Sequence, residues 1–265
     1  MRNNAQRILN RLYGKLIIPK IEKTATFGDT DIHYLLYKKP SKTLIIGFQA
    51  LPVLPNDFRY NYVSTLSGTK ASKLYIQDDF APHGNYYLGG NGTFETEKHV
   101  LALIRSTIEK CKAEKLIFIG SSKGGYCAVN FGIEFPNSCM VVGAPQYYVG
   151  DFMTEVKKFG STIETVVGSP KTEQKIQKLN TRLRGKIEAD EYADTQTVYM
   201  HCSVNDKTYE KHVSDMIRDM EHAGIRVVFD KSEYEGHDDL KYHFPTYLKE
   251  TIKKINEDNS SDNDI

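Results

Sequence analysis

The segment Lys115-Leu-Ile-Phe-Ile-Gly-Ser-Ser-Lys-Gly124 joins an apolar run to a turn bounded by glycines. Its first half is continuously apolar from Leu116 to Ile119, which is typical of a β-strand covered on both faces. Its second half fits the pattern Gly-x-Ser-x-Gly with Ser122 at the centre, and helical spacing begins at Gly124. A tight strand-to-helix turn strains the backbone of its central residue and lifts that side chain above the edge of the sheet. The pattern therefore predicts a nucleophilic serine at position 122.

Two other interpretations of this turn are open at the level of sequence. A glycine-rich turn before a helix can bind phosphate without any serine chemistry, or it can be a purely structural connection. The chain has neither the spacing of a Walker A loop nor a Gly-x-Gly-x-x-Gly segment, so the common nucleotide-binding motifs do not occur. Ser121 is the alternative nucleophile, although it occupies a flanking position of the pattern.

Strand and helix signals alternate along most of the chain. Strands are predicted at Ile32–Tyr37, Thr43–Phe48, Lys73–Gln77, Ser138–Gly143, Thr197–Ser203 and Arg226–Asp230, and helices at Glu97–Lys112, Gly124–Glu134, Tyr209–Ala223 and Tyr247–Asn256. This alternation predicts an α/β architecture, with a mostly parallel central sheet and helices on both faces. Together with the serine turn, it favours the α/β-hydrolase fold. Strand signals are few between residues 144 and 196, so we expect a helical cap insertion after the sixth strand.

Composition limits the class of protein. The 265 residues suit one domain, which we place at 1–256, with a flexible acidic tail at 257–265. A formal net charge of +1 does not support a nucleic-acid binder, whose footprint is usually strongly basic. The four cysteines and eight histidines show no spacing of a zinc site, so we expect no metal.

The amino-terminal segment bears on location. It lacks the apolar core of a signal peptide, and no run in the chain approaches the ~18 apolar residues of a transmembrane helix. We therefore expect a cytoplasmic protein. One face of the first predicted helix is apolar and the adjoining face is basic, through Ile8, Leu9, Leu12, Leu16, Arg7, Arg11 and Lys15. This helix either packs on the domain, which we favour, or makes a peripheral contact with the inner face of the membrane.

A serine hydroxyl needs a base that is oriented by a third group. In the α/β-hydrolase fold these residues follow one another along the chain as serine, acid and histidine. Asp206 follows the strand Thr197–Ser203, and His237 follows the last strand in a loop that Gly236 allows to turn inward. We therefore predict Asp206 as the orienting acid and His237 as the base, with His243 as the nearest alternative base.

An oxyanion hole is also expected. One donor is the backbone N–H of Lys123, directly after the predicted nucleophile. The second is predicted in the loop after the third strand, from the backbone N–H of Phe48 or Gln49.

The loop Asp78–Gly92 follows the fourth strand, at the sheet edge where ligands bind in such folds. Its side chains Asp79, His83, Tyr86 and Tyr87 suit the stacking of a sugar and the recognition of its hydroxyls, so we predict them as substrate-binding residues. An irregular loop held by its own hydrogen bonds explains the same composition equally well.

Three motifs resemble a particular branch of the fold. They are Gly-Ser-Ser-Lys-Gly-Gly-Tyr-Cys-Ala at 120–128, Asp-Asp-Phe-x-Pro at 78–82 with Tyr-Tyr-Leu-Gly at 86–89, and Ser-Val-Asn-Asp-Lys-Thr-Tyr at 203–209. They are similar to motifs of bacterial capsular polysaccharide O-acetyltransferases of the meningococcal serogroup A type. They also look like the acetyltransferase component of accessory secretion systems.

The resemblance implies an enzyme that transfers acetyl groups from acetyl-CoA to hydroxyls of a capsular or surface polysaccharide. Ser122 would carry the acetyl group, His237 would be the general base, and Asp206 would orient it. The expected partners are the polysaccharide acceptor and capsule-assembly proteins. The residues leave two alternatives open: a cytoplasmic serine carboxylesterase with the same triad, and a non-catalytic scaffold of a capsule-assembly complex.

Overall fold

The computed structural model describes residues 16–160 and 162–257. Most of the predicted amphipathic helix, at residues 1–15, lies outside the described residues, and so does the predicted acidic tail from residue 258 onward. Within the described residues, eight strands form one sheet.

The strands are β1 (Lys23–Phe27), β2 (Thr30–Tyr37), β3 (Thr43–Phe48), β4 (Ser72–Ile76), β5 (Lys115–Ser121), β6 (Cys139–Gly143), β7 (Thr197–Ser203) and β8 (Arg226–Ser232). Their order across the sheet is β1-β2-β4-β3-β5-β6-β7-β8. β2 pairs antiparallel with both β1 and β4, and the pairs from β4 through β8 are parallel. The sheet is therefore mostly parallel, as predicted.

The α-helices of the described residues are α1 (Ile18–Ile21), α2 (Glu95–Cys111), α3 (Lys123–Gly132), α4 (Val149–Glu155), α5 (Thr162–Val167), α6 (Glu173–Asn180), α7 (Arg182–Glu188), α8 (Ser214–Ala223) and α9 (Leu240–Glu257). A π-helical turn at Tyr209–Val213 precedes α8, and a 3₁₀ turn at His237–Asp239 precedes α9. The segment between β6 and β7 is thus largely helical, from α4 to α7.

The central strands β3 and β5 form the middle of the core. Leu44, Ile45 and Ile46 of β3 are fully buried, as are Ile117 and Ile119 of β5. Burying such a side chain contributes about 1.5–3 kcal/mol, so these continuous apolar runs stabilise the centre of the sheet strongly. Because β3 to β8 are parallel, their carboxyl ends meet at one edge, where loops can bring distant residues together.

Two elements differ from the sequence prediction. β1 was not predicted, because it lies at the edge of the sheet and its residues are exposed or half-buried, which leaves a weak apolar pattern. α9 begins at Leu240, well before the predicted start at Tyr247, and continues through Pro245. Proline usually ends a helix, so sequence alone favours a later start.

Glu97 of α2 ties the helices between β6 and β7 to the rest of the molecule. Its buried carboxylate pairs with Arg182 and, at 3.0 Å, with the Lys186 ammonium, both on α7. It also accepts a hydrogen bond of 3.0 Å from the Asn130 side chain on α3. Burial alone would raise the pKa of Glu97, but these partners hold it below its usual value. The carboxylate therefore fixes α7 against α2 and α3.

Candidate active site

The turn between β5 and α3 has the strained geometry that its sequence predicts. Ser122 has φ 53° and ψ −118°, a positive-φ conformation that a residue with a side chain rarely adopts. A Cβ on Gly120 would collide with the carbonyl oxygen of Gly124, so only glycine fits there. The N–H of Ser122 donates to the carbonyl of Gly143 at the end of β6, at 2.8 Å. These contacts hold the serine hydroxyl above the sheet edge.

The structure brings the three predicted residues Ser122, His237 and Asp206 together. The Nε2 atom of His237 lies 3.0 Å from Oγ of Ser122, and its Nδ1 atom lies 2.8 Å from Oδ2 of Asp206. With the ring proton on Nδ1, His237 donates to the carboxylate and accepts the hydroxyl proton of the serine. This arrangement can deprotonate Ser122 while Asp206 holds the imidazole in the required orientation. His243, the alternative base, instead stacks on the ring of Tyr234 at 4.7 Å.

Asp206 is held as a carboxylate. It is 2% exposed, and burial alone would raise its pKa. The hydrogen bonds from His237 and from the N–H of Thr208, the latter at 2.8 Å, outweigh burial and lower the pKa below its ordinary value. An ionised Asp206 can stabilise the imidazolium that forms when His237 takes up a proton.

The predicted oxyanion donors lie at the turn between β5 and α3, here called the elbow (residues 120–124), and at the end of β3. Lys123 is the first residue of α3, so its N–H has no partner within the helix. Phe48 ends β3, where it pairs in register with Ile76 of β4. The N–H of Gln49 donates to the hydroxyl oxygen of Tyr87 at 3.0 Å, so it must leave this partner before it can bind an oxyanion.

The prediction that Tyr86 and Tyr87 stack on a sugar needs correction. Both side chains are fully buried, because their rings pack in the core and their hydroxyls have protein partners. The Tyr87 hydroxyl donates to the carbonyl of Ile76 at 2.8 Å. His83 is also buried, with Nδ1 3.3 Å from the carbonyl of Pro52. Asp79 is partly exposed, and its carboxylate lies 2.7 Å from Nδ1 of His33. The loop is therefore held by its own contacts, the other explanation of its composition.

A buried ion pair joins this loop to the elbow. The Lys123 ammonium and the Asp78 carboxylate are 2.6 Å apart, and neither side chain is exposed. Asp78 also accepts from the N–H groups of Asn85 and Tyr86, at 3.0 and 2.8 Å. A Cβ on Gly84 would collide with Nζ of Lys123, so glycine is required where the loop passes over the pair. The pair therefore fixes the loop after β4 against the start of α3.

We expect Lys123→Met to lower the free energy of unfolding by about 3–5 kcal/mol, because it leaves the Asp78 carboxylate buried without a counterion. Urea unfolding measures this change. The matched control is Lys211→Met, which removes an exposed pair with Glu155 and should cost less than about 1 kcal/mol. Equal losses in the two variants would contradict the role assigned to the buried pair.

Gln146 is a site residue that the sequence analysis missed. Its side-chain Nε2 donates to Oγ of Ser122 at 2.9 Å, and its Oε1 accepts from the hydroxyl of Tyr86 at 2.8 Å. It follows β6 at the same sheet edge as the serine turn. A polar residue directly after a buried parallel strand was the available signal, but no motif singled it out.

No group of three or more His, Cys, Asp or Glu side chains is placed to hold a metal ion within residues 16–160 and 162–257. Over the same residues, no helix is both long and apolar enough to cross a bilayer.

The sheet order, the serine turn and the hydrogen-bonded Ser122, His237 and Asp206 define the class: the chain has the α/β-hydrolase fold. Solved structures agree. FphF, a fluorophosphonate-binding serine hydrolase of Staphylococcus aureus, is similar with a TM-score of 0.61 and 15% identity, over 88% of this chain and 96% of that chain. No protein-family model matches the sequence.

More similar is the capsule O-acetyltransferase of Neisseria meningitidis serogroup A, with a TM-score of 0.71 and 20% identity over 89% of this chain and 99% of that chain. A mutant of that enzyme in complex with CoA is equally similar over 92% of this chain and 99% of that chain. An accessory Sec system protein of Staphylococcus aureus is 24% identical over 148 residues, which is 52% of this chain. The matched region spans only 27% of that relative's length. The resemblance seen in the sequence is confirmed, and these likenesses establish the fold.

Proposed function

We propose that the protein is an O-acetyltransferase that uses acetyl-CoA to modify hydroxyls of a bacterial capsular or surface polysaccharide. The observation that carries the proposal is the hydrogen-bonded row Ser122–His237–Asp206 at the elbow. A base held on one side by a carboxylate and on the other by the serine hydroxyl is the arrangement that covalent acyl transfer needs. The similarity to a capsule O-acetyltransferase supports the choice of reaction.

In the first half-reaction, Oγ of Ser122 attacks the thioester carbon of acetyl-CoA while its proton moves to Nε2 of His237. The carbon–sulfur bond breaks, and His237 returns the proton to the sulfur, so CoA leaves as a thiol. Negative charge develops on the thioester oxygen during this step. The N–H of Lys123 is our proposed donor to that oxygen, with a second donor from the chain around Phe48 and Gln49.

In the second half-reaction, a sugar hydroxyl gives its proton to Nε2 of His237 as its oxygen attacks the acetyl carbon. The bond to Oγ of Ser122 breaks, and the proton returns to Oγ. Water attacks the same intermediate if it reaches it, and the enzyme then acts as an esterase. We assign the exclusion of water to the helical segment 144–196 as a cap, and acceptor contacts to the partly exposed Asp79 on the neighbouring loop.

The proposed reaction also has consequences for the cellular location and the partners of the enzyme. Use of acetyl-CoA implies a reaction in the cytoplasm, before the polymer is exported. Capsule-assembly proteins are the proposed protein partners. For the basic segment at residues 1–15 we keep packing on the domain as the favoured role and a contact with the inner face of the membrane as the alternative.

A serine carboxylesterase is the second candidate, because the same fold and the same three residues serve hydrolases. The two functions differ in the nucleophile that attacks the acetyl-serine, which is a sugar hydroxyl in the transferase and water in the esterase. We therefore expect the full chain to release CoA thiol from acetyl-CoA slowly alone and several-fold faster with de-O-acetylated capsular polysaccharide, with ester appearing on the polymer.

Turnover of simple esters with no release of thiol from acetyl-CoA would contradict the transferase and support the esterase. If a fluorophosphonate probe fails to label the wild-type protein, the chain is a non-catalytic scaffold and both enzymatic proposals fail.

A further inference from the structure

We propose that Gln146 is a positioning residue that fixes the hydroxyl of Ser122, and that Tyr86 sets the orientation of Gln146. This inference rests on the proposed role of Ser122 as nucleophile. It extends that role to two buried residues outside the Ser122–His237–Asp206 row, Tyr86 and Gln146, which are 0% and 2% exposed.

The position of Gln146 determines what its amide can do. A serine oxygen carries one hydrogen and two lone pairs. Nε2 of Gln146, at 2.9 Å, occupies one lone pair of the Ser122 oxygen, and Nε2 of His237 lies 3.0 Å away. With a donor already on the oxygen, its own hydrogen is left to point at His237. The amide thus selects the rotamer and the proton direction that nucleophilic attack requires.

Tyr86 decides which end of the amide faces the serine. Its hydroxyl donates to Oε1 of Gln146 at 2.8 Å, which turns Nε2 toward Ser122. The opposite orientation would present Oε1 to the serine, and this oxygen would compete with His237 for the hydroxyl proton. Burial raises the pKa of Tyr86 well above its ordinary value, so the hydroxyl keeps the proton that it donates.

Tyr86 is itself held in place. Its N–H donates to Asp78 at 2.8 Å, and its ring meets that of Tyr126 edge-on, with centroids 5.5 Å apart. A chain of contacts thus runs from Lys123 to Asp78, and from there through Tyr86 and Gln146 to Ser122. Lys123 and Ser122 are neighbours in sequence, so both ends of this chain of contacts lie at the turn between β5 and α3.

The strand order separates this role from that of an oxyanion donor. β5, which ends just before Ser122, lies between β3 and β6. Gln146 follows β6, on the side of β7 and β8, whose loops carry Asp206 and His237. The predicted oxyanion loop follows β3 on the other side. Gln146 therefore follows a different strand from the one that precedes the predicted oxyanion loop.

The test compares Gln146→Met, Tyr86→Phe and the double variant in the full chain. The readout is the single-turnover rate of acylation by p-nitrophenyl acetate, together with kcat and KM. We expect Gln146→Met to slow acylation about 10- to 100-fold with little change in KM, because a misdirected nucleophile loses rate rather than affinity. Tyr86→Phe should lose less, and the double variant should be no slower than Gln146→Met, because both changes break the same chain of contacts.

Tyr126→Phe is the matched control. It removes a buried hydroxyl that has no hydrogen-bond partner among the described residues, from the ring that packs on Tyr86. It should acylate at the wild-type rate. Gln146→Glu is a second variant of nearly the same shape; assayed at a pH at which its carboxylate is ionised, it cannot donate and should lose as much rate as Gln146→Met. Thermal unfolding checks that each variant is folded.

Wild-type acylation rates in Gln146→Met and Gln146→Glu would overturn the role of Gln146. Additive losses in the double variant would overturn the role of Tyr86. Failure of the proposed function has a different signature. A wild type that reacts with p-nitrophenyl acetate but never with acetyl-CoA refutes the transferase and leaves the positioning role intact.

Discussion

Ser122→Ala is expected to abolish the covalent adduct of about 42 Da that the wild-type chain gains on brief exposure to acetyl-CoA. The reason is that Oγ of Ser122 is the atom that Nε2 of His237 faces at 3.0 Å, so this oxygen is the one placed to receive the acetyl group. Steady-state transfer should fall by about four to six orders of magnitude. Intact-protein mass spectrometry measures the adduct, and thiol release measures the rate.

Ser121→Ala is the matched control for this experiment. Ser121 is the neighbouring serine, and its hydroxyl lies 2.5 Å from the hydroxyl of Tyr62. The Ser121→Ala variant should still gain the adduct. An adduct that persists in Ser122→Ala and disappears in Ser121→Ala would transfer the nucleophile to Ser121.

Asp206→Asn is expected to lower kcat by about 10⁴-fold while the protein stays folded. An amide in place of the carboxylate favours the wrong tautomer of His237, which then donates to Ser122 instead of accepting its proton. Asp238→Asn is the control, because Asp238 is an exposed carboxylate directly after His237 and should change kcat less than about twofold. Similar losses in both variants would indicate a general effect of charge on His237 and no special role for Asp206.

Asp206→Asn should also change how the free energy of unfolding depends on pH. The folded-state pKa of Asp206 is lowered, so its carboxylate contributes stability above the unfolded pKa of about 4 and loses it as the pH falls through the folded value. The wild type should therefore lose its advantage over Asp206→Asn progressively below about pH 4. Urea unfolding at a series of pH values checks this, and a difference that grows on acidification would contradict it.

Much of this site is predictable from local sequence because each part depends on a short segment. The run Leu116–Ile119 followed by glycine, serine and glycine requires a strand, a strained turn and a helix, since a Cβ at Gly120 meets the backbone of Gly124. Asp206 and His237 follow the last two strands at positions that the chain order of the fold requires. Local patterns and this order were enough to predict three residues that the structure brings into hydrogen-bond contact.

Other residues depend on contacts between segments far apart in sequence. Tyr86 and Tyr87 have the composition of a sugar-binding loop, yet their neighbours in space make them core residues. Their rings pack against Tyr126 and Phe131 of α3 and against Phe48. The pairing of Asp78 with Lys123 fixes the same loop against α3. No periodicity within the loop reports that pairing, so the prediction for these tyrosines was wrong.

The amino-acid sequence by itself determined that Ser122 sits on a strained strand-to-helix turn, because the glycines and the apolar run act on the backbone over only a few residues. The positions of Asp206 and His237 follow from the order of the strands along the chain. Only the tertiary structure decided what surrounds the serine oxygen. Gln146 reaches it because β6 lies beside β5, and Tyr86 orients Gln146 because a buried ion pair holds its loop down. Hydrogen bonds between side chains are sensitive to changes of a few tenths of an ångström in the distance between donor and acceptor. These distances are set only after the strands have paired and the core has packed.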